Sequence, residues 1–139
     1  MVRVEGVSKW FGSLQVLRDM SFSVERGQVM VILGPSGSGK STLLRCINAL
    51  EPIQKGKIYV DGVSIHDLRG RQLSAARRNI GMVFQQFNLF QHKTALENIT
   101  LAPMKVLGLS QEEAEKRAMA LLERVGLPDK AHSYPAELS

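Results

Sequence analysis

Apolar and polar residues change their rhythm several times along the chain, and each rhythm implies an element. Val2, Arg3, Val4 and Glu5 alternate with period two, which predicts a half-buried strand over residues 2–7. Trp10, Phe11 and Gly12 read as a turn, residues 20–24 as a second strand, and Glu25, Arg26 and Gly27 as its turn. Residues 28–33 are apolar after Gln28, and such a short unbroken run predicts a buried strand. A helix is expected over 40–49, stopped near Pro52, and a strand over 57–60. Asp61-Gly62 is a hairpin turn signal. A short helix is expected over 72–78, an apolar strand over 80–84, and helix again over about 94–99.

The period of 3.6 is clearest over residues 110–125. Ser110 and Glu113 make a capping box, and Gly126 ends the element. Ala114, Ala118, Leu121, Leu122 and Val125 are expected on one face, with Glu115, Lys116, Glu123 and Arg124 elsewhere. Strands alternating with helices predict an α/β domain, with an antiparallel portion added by the N-terminal strands. No internal repeat or low-complexity segment interrupts the pattern.

Composition narrows the class. A chain of 139 residues makes one domain of ordinary size, and 44% hydrophobic with 22% charged residues is the balance of a soluble globular protein. No apolar run approaches the roughly 20 residues of a membrane span. Arg3 and Glu5 break the opening segment, so no signal peptide is expected. Cys46 is the single cysteine, which excludes an internal disulfide and fits a cytoplasmic location. It is expected as a packed small side chain rather than a reactive thiol. The net charge of +5 is spread over Arg69, Arg71, Arg77, Arg78, Lys116 and Arg117 without a basic stripe, so no nucleic-acid partner is expected. His66, His92 and His132 lack ligand-like spacing for a metal.

The chemistry lies directly after the 28–33 run. Gly34, Pro35, Ser36, Gly37, Ser38, Gly39, Lys40, Ser41 and Thr42 match G-x-x-x-x-G-K-[ST], between an expected strand and an expected helix. Gly37 and Gly39 let successive backbone N–H groups converge on phosphate oxygens. Lys40 supplies a cation for the terminal phosphates and Ser41 a hydroxyl for Mg²⁺. The helix that follows points its positive dipole end at the anion.

The chain also resembles the nucleotide-binding subunit of an ABC transporter. The likeness runs through Lys9-Trp10-Phe11-Gly12, the phosphate loop, Leu44 to Asn48, Met82 to Phe90, Leu96-Glu97-Asn98, and Tyr134 to Ser139. Gln85 to Phe90, with Val125-Gly126-Leu127 and Tyr134-Pro135, is most similar to the polar amino-acid importers. The resemblance implies a P-loop NTPase fold of ABC type, with a core and antiparallel β portion over about 1–93 and a helical portion over about 94–139. It implies ATP and Mg²⁺ as ligands, held by Ser36, Gly37, Ser38, Gly39, Lys40, Ser41 and Thr42. It gives Phe11 the aromatic position that stacks on adenine, and Gln85 the amide that reaches Mg²⁺ and the attacking water. Residues 88–92 would lie against the permease, with Gln91 where many relatives carry Pro.

The implied partners are permease subunits at the membrane, a second ATP-binding subunit, and indirectly a solute-binding protein. The implied location is the inner face of the cell membrane. The family signature Leu-Ser-Gly-Gly-Gln begins at Leu138-Ser139. The Walker B strand, its general base and the switch His are expected beyond that point, and with them the strands that flank residues 28–33. On that expectation the C-terminal half of the domain is missing, and residues 1–139 alone do not turn ATP over. Two other readings stand beside the transporter: a nucleotide-binding module without turnover, and a P-loop small-molecule kinase.

Overall fold

The structure is a computed structural model, and it describes residues 1–138; Ser139, the second residue of the expected signature, lies outside the described residues. It forms two compact units, Met1–Gly81 and Met82–Ser139. In the first, strands β1 (Val2–Phe11), β2 (Leu14–Val24), β3 (Lys55–Val60) and β4 (Val63–Ser64) form one antiparallel sheet in the order β2-β1-β3-β4. The period-two alternation holds at the start of β1, where Val4 is buried opposite Phe22 and Ile58. It fails at Gly6. The register against β2 slips between Val4 and Val7, and beyond the slip Val7, Ser8 and Lys9 are buried in succession. Gly56 of β3 crosses this bulge so closely that a Cβ would lie 2.4 Å from the Glu5 carbonyl oxygen and 2.5 Å from that of Gly6.

The turn expected at residues 10–12 starts later, because Trp10 and Phe11 still pair with Gln15 and Leu14. For the same reason β2 begins at Leu14, well before residue 20. Asp61 and Gly62, both with positive φ (46° and 82°), make the hairpin that joins β3 to β4, as the sequence predicts.

Helix α1 (Lys40–Ile47) packs on the sheet through Leu43 and Cys46, which join Val4, Val7, Leu17, Ile58 and Ile65 in the core. Cys46 is fully buried, and burial pushes its thiol up to about 11, so it behaves as a packed apolar group. The helix stops short of residue 49, where Ala49 turns left-handed (φ 56°). Two side chains hold its C-terminal carbonyls. His66 Nε2 lies 2.8 Å from the Cys46 oxygen, and the Arg77 guanidinium donates to Asn48, at 3.0 Å, and to Ala49. Arg77 comes from α2 (Gly70–Arg77). It is a helix cap, not the solvated surface charge that its sequence position suggests.

Residues 28–33 and 80–84 are not strands, contrary to the sequence reading. Ile32 and Ile80 pack on the core, but Val31 is 72% and Leu33 87% exposed. An apolar run becomes a strand only by pairing, and no described residue forms a ladder with either segment.

The second unit holds α3 (Ala95–Leu107) and α4 (Gln111–Arg124). Both begin at capping boxes, Thr94 with Glu97 and the predicted Ser110 with Glu113. The backbone N–H of Thr94 holds the Glu97 carboxyl below its ordinary range. The first turn of α3 is also held by carbonyls of the C-terminal segment: Ala95 N–H donates to Ser133 and Leu96 N–H to Ala131, each at 2.9 Å. Helix α3 continues past Ile99 although Pro103 removes one hydrogen bond, and Gly108 (φ 71°) closes its end onto the Pro103 carbonyl. On α4 the buried stripe is Ala114, Ala118 and Leu122. Leu121 and Val125, expected on that stripe, are largely exposed: Leu121 lies about 100° round from Leu122, and Val125 sits at the C-cap. Among the described residues no helix is long and apolar enough to cross a membrane.

Two stability measurements check this packing. Gly56→Ala is expected to lower the unfolding free energy by more than about 2 kcal/mol in urea titration, since backbone must move to admit the methyl. Gly62→Asn has a similar φ and nothing within 4 Å, so it is expected to cost clearly less, the strain of the left-handed backbone alone; equal losses would contradict the bulge crossing. Burial lowers the His66 pKa below its ordinary 6.5, outweighing the bond to Cys46. The unfolded chain therefore takes up that proton at higher pH than the folded one. The contribution is present in full above about pH 6.5 and is lost as pH falls below it. His66→Gln is expected to flatten the stability profile from that point downward; an unchanged acid limb would rule His66 out as its source.

Candidate functional site

The loop of residues 34–39 leads into α1 with Gly39 as N-cap (φ 89°, ψ 5°). Gly39 turns left-handed against β2. A Cβ there would lie 3.0 Å from Val16 Cγ1, 3.1 Å from the Val16 oxygen and 3.2 Å from Leu17 Cδ2. Both the conformation and the space require glycine. The first intrahelical bond runs from Leu43 N–H to the Gly39 oxygen at 2.8 Å. The N–H groups of Lys40, Ser41 and Thr42 precede that bond, and no acceptor among the described residues takes them. They form the positive end of the helix dipole.

Lys40 reaches back over its own loop. Its Nζ donates to the carbonyl oxygens of Gly34 at 2.8 Å and Pro35 at 2.6 Å, and lies 3.5 Å from Ser38 Oγ. An ammonium has three protons, so two are well used and the third is held only weakly. Ser36, Gly37, Ser38 and Ser41 are exposed, while Gly39, Lys40 and Thr42 are half-buried. Gly37 also has positive φ (79°), and Ser38 N–H closes the turn onto the Pro35 oxygen at 3.3 Å. A cation with unpaired N–H groups at a helix start can receive an anion. Beside it opens a cavity of about 280 Å³ lined by Val16, Leu17, Met20, Ile32 and Leu43 together with the loop.

Phe11 ends β1 and is 46% exposed. The Lys9 ammonium lies over its ring, 4.4 Å from the centroid. Lys9 is 2% exposed and pairs with Glu51 at 3.2 Å. Sequence reading assigned nothing to this pair; the available signal was Gly6 inside a strand, which marks a bulge and a broken alternation. Gln85 stands in the second unit, exposed and on an irregular segment.

Comparison with known proteins agrees with this geometry. The family profile for the ABC transporter matches residues 17–139. Over 139 residues the chain is 54% identical to the glutamine transport ATP-binding protein GlnQ of Geobacillus stearothermophilus, covering 100% of this chain and 57% of that protein. It is 50% identical to the glutamate/aspartate import ATP-binding protein GltL of Escherichia coli (strain K12), again covering 100% of this chain and 57% of that protein. The chain therefore spans about 57% of the length of the curated relatives it matches. Among solved structures it is similar to the ATP-binding cassette MJ0796 in a dimeric, post-hydrolysis state bound to ADP and Pi, with TM-score 0.90 at 39% identity, over 100% of this chain and 63% of that one. None of these relatives favours the small-molecule kinase. With a family match that begins in β2 and runs through the phosphate loop and both helices of the second unit, the chain belongs to the ABC transporter family.

Proposed function

We propose that this chain binds ATP at residues 36–42 and serves as the ATP-binding component of an ABC transporter that imports a polar amino acid. The observation that carries the reading is the start of α1, where three backbone N–H groups without a protein acceptor adjoin the Lys40 ammonium. In this reading the phosphates take the N–H groups of Gly37, Gly39, Lys40, Ser41 and Thr42 and the third proton of Lys40. Ser36 and Ser38 supply hydroxyls at the loop. Phe11 stacks on adenine through its exposed face. The amino-acid substrate rests on relatives named for glutamine transport and glutamate/aspartate import.

Mg²⁺ suits the donor set, because the exposed Ser41 hydroxyl directly follows the phosphate-binding lysine. When bound, the ion neutralises phosphate charge. Ser41 is its proposed ligand in the loop, and Gln85 keeps the role that the family resemblance gives it, an amide for the ion and the attacking water. Hydrolysis, pairing with a second ATP-binding subunit, and docking to permease subunits on the inner face of the membrane belong to the whole transporter. A solute-binding protein enters only indirectly.

Lys40→Ala removes the cation and is expected to cost roughly 1.5–3 kcal/mol of affinity for a fluorescent ATP analogue, the worth of a charge-assisted contact. Equal binding by both proteins would refute the phosphate role. Phe11→Ala is expected to cost ATP about 1 kcal/mol and to leave inorganic triphosphate unchanged, since only the base can stack. If both ligands weaken alike in a direct titration, Phe11 is a packing residue.

A further inference from the structure

The ring of Phe11 is built into a platform, and Lys9 is the part of it that packing alone does not explain. Lys9 and Phe11 come together near the end of β1, where the Lys9 ammonium lies 4.4 Å from the centroid of the Phe11 ring. The Lys9 ammonium over the ring is almost wholly buried, and its partner Glu51 is half-buried. A buried ammonium is costly even when paired, and an apolar side chain of similar length would fill the same space without that cost. Besides pairing with Glu51, the charge does what an apolar group cannot: it attracts the π face of the ring.

The same short segment fixes the backbone below the ring. Gln54 holds Trp10 on both sides, accepting from its N–H at 3.0 Å and donating to its carbonyl at 3.2 Å. Its own N–H donates to the Ser8 carbonyl at 3.1 Å. Residues 51–54 follow α1, so the exit of the phosphate-loop helix anchors both the strand end that carries Phe11 and the cation over its ring.

We propose that Lys9 is a positioning residue for the base-stacking platform: locked by Glu51, its ammonium fixes the Phe11 ring and draws π density toward one face, leaving the opposite face electron-poor for an electron-rich purine. This rests on the reading that Phe11 stacks on adenine. The role belongs to the base half of the site and is independent of the phosphates.

The test titrates ATP and inorganic triphosphate against the full chain and four variants: Lys9→Met, Lys9→Arg, Phe11→Ala, and Lys9→Met with Phe11→Ala. Lys9→Met is expected to weaken ATP about threefold to tenfold and to leave triphosphate unchanged, with Lys9→Arg restoring most of the loss. In the Phe11→Ala background, Lys9→Met is expected to cost ATP nothing further. Equal weakening of both ligands by Lys9→Met, or an undiminished effect in the absence of the ring, would overturn the proposal and leave Lys9 a residue of the fold. If Phe11→Ala itself fails to discriminate between the ligands, the stacking reading falls and takes the proposal with it. If Phe11→Ala discriminates and Lys9→Met does not, the role of Lys9 falls alone. Should Lys9→Met not fold, Glu51→Gln unlocks the ammonium without removing it: a loss confined to ATP supports the proposal, and no selective loss overturns it.

Discussion

The close approach of Gly39 to β2 governs the geometry of the first unit. Having no Cβ, Gly39 can turn left-handed in tight contact with Val16 and Leu17 and start α1 against the sheet. Leu43 and Cys46 then fall into the core, one and two turns of the loop's exit later. Because the Gly39 carbonyl accepts the first helical bond, the N–H groups just before that bond remain without partners. The anion site is therefore a by-product of how the helix is seated. Lys40 completes it by bonding to the carbonyls of Gly34 and Pro35, which holds the cation at the loop even without a ligand.

The far end of α1 is held as firmly as the near end. His66 and Arg77 take up carbonyls of residues 46, 48 and 49, groups that a helix terminus would otherwise leave to water. The chain that leaves this cap supplies Glu51 and Gln54 to the end of β1. One helix thus connects the two places at which we propose that a nucleotide binds, its phosphates at the first residue and its base beyond the last. Small movements at the far end are opposed by the part-buried, charge-assisted bonds of Arg77, and at the near end by the exposed bonds of Lys40.

What the sequence disclosed was local, and what it concealed was not. The phosphate-loop motif is legible because its nine residues, 34–42, are contiguous, and Gly37, Gly39, Lys40 and Ser41 each have a chemical task. The capping boxes at Ser110 and the hairpin at Asp61-Gly62 are legible for the same reason. Residues 28–33 and 80–84 have strand composition, yet strand formation is a pairing event, and no described residue pairs with them. Lys9 was hidden because a lysine between Ser8 and Trp10 reads as solvated until the bulge at Gly6 turns it inward. Arg77 was hidden because its acceptors lie 28 and 29 positions away in sequence. Leu121 was misplaced because it lies at the edge of the stripe, about 100° round from Leu122, and Val125 because the helix ends there.

The central claim is that the N–H groups at the start of α1 receive phosphate. Backbone amide chemical shifts, followed while inorganic triphosphate is titrated into the chain, test it without involving the base. The account predicts saturable shifts concentrated at Gly37, Gly39, Lys40, Ser41 and Thr42, the amides that enter or precede the first helical turn. Saturable binding that leaves those amides unmoved while others shift would place the anion elsewhere and contradict it.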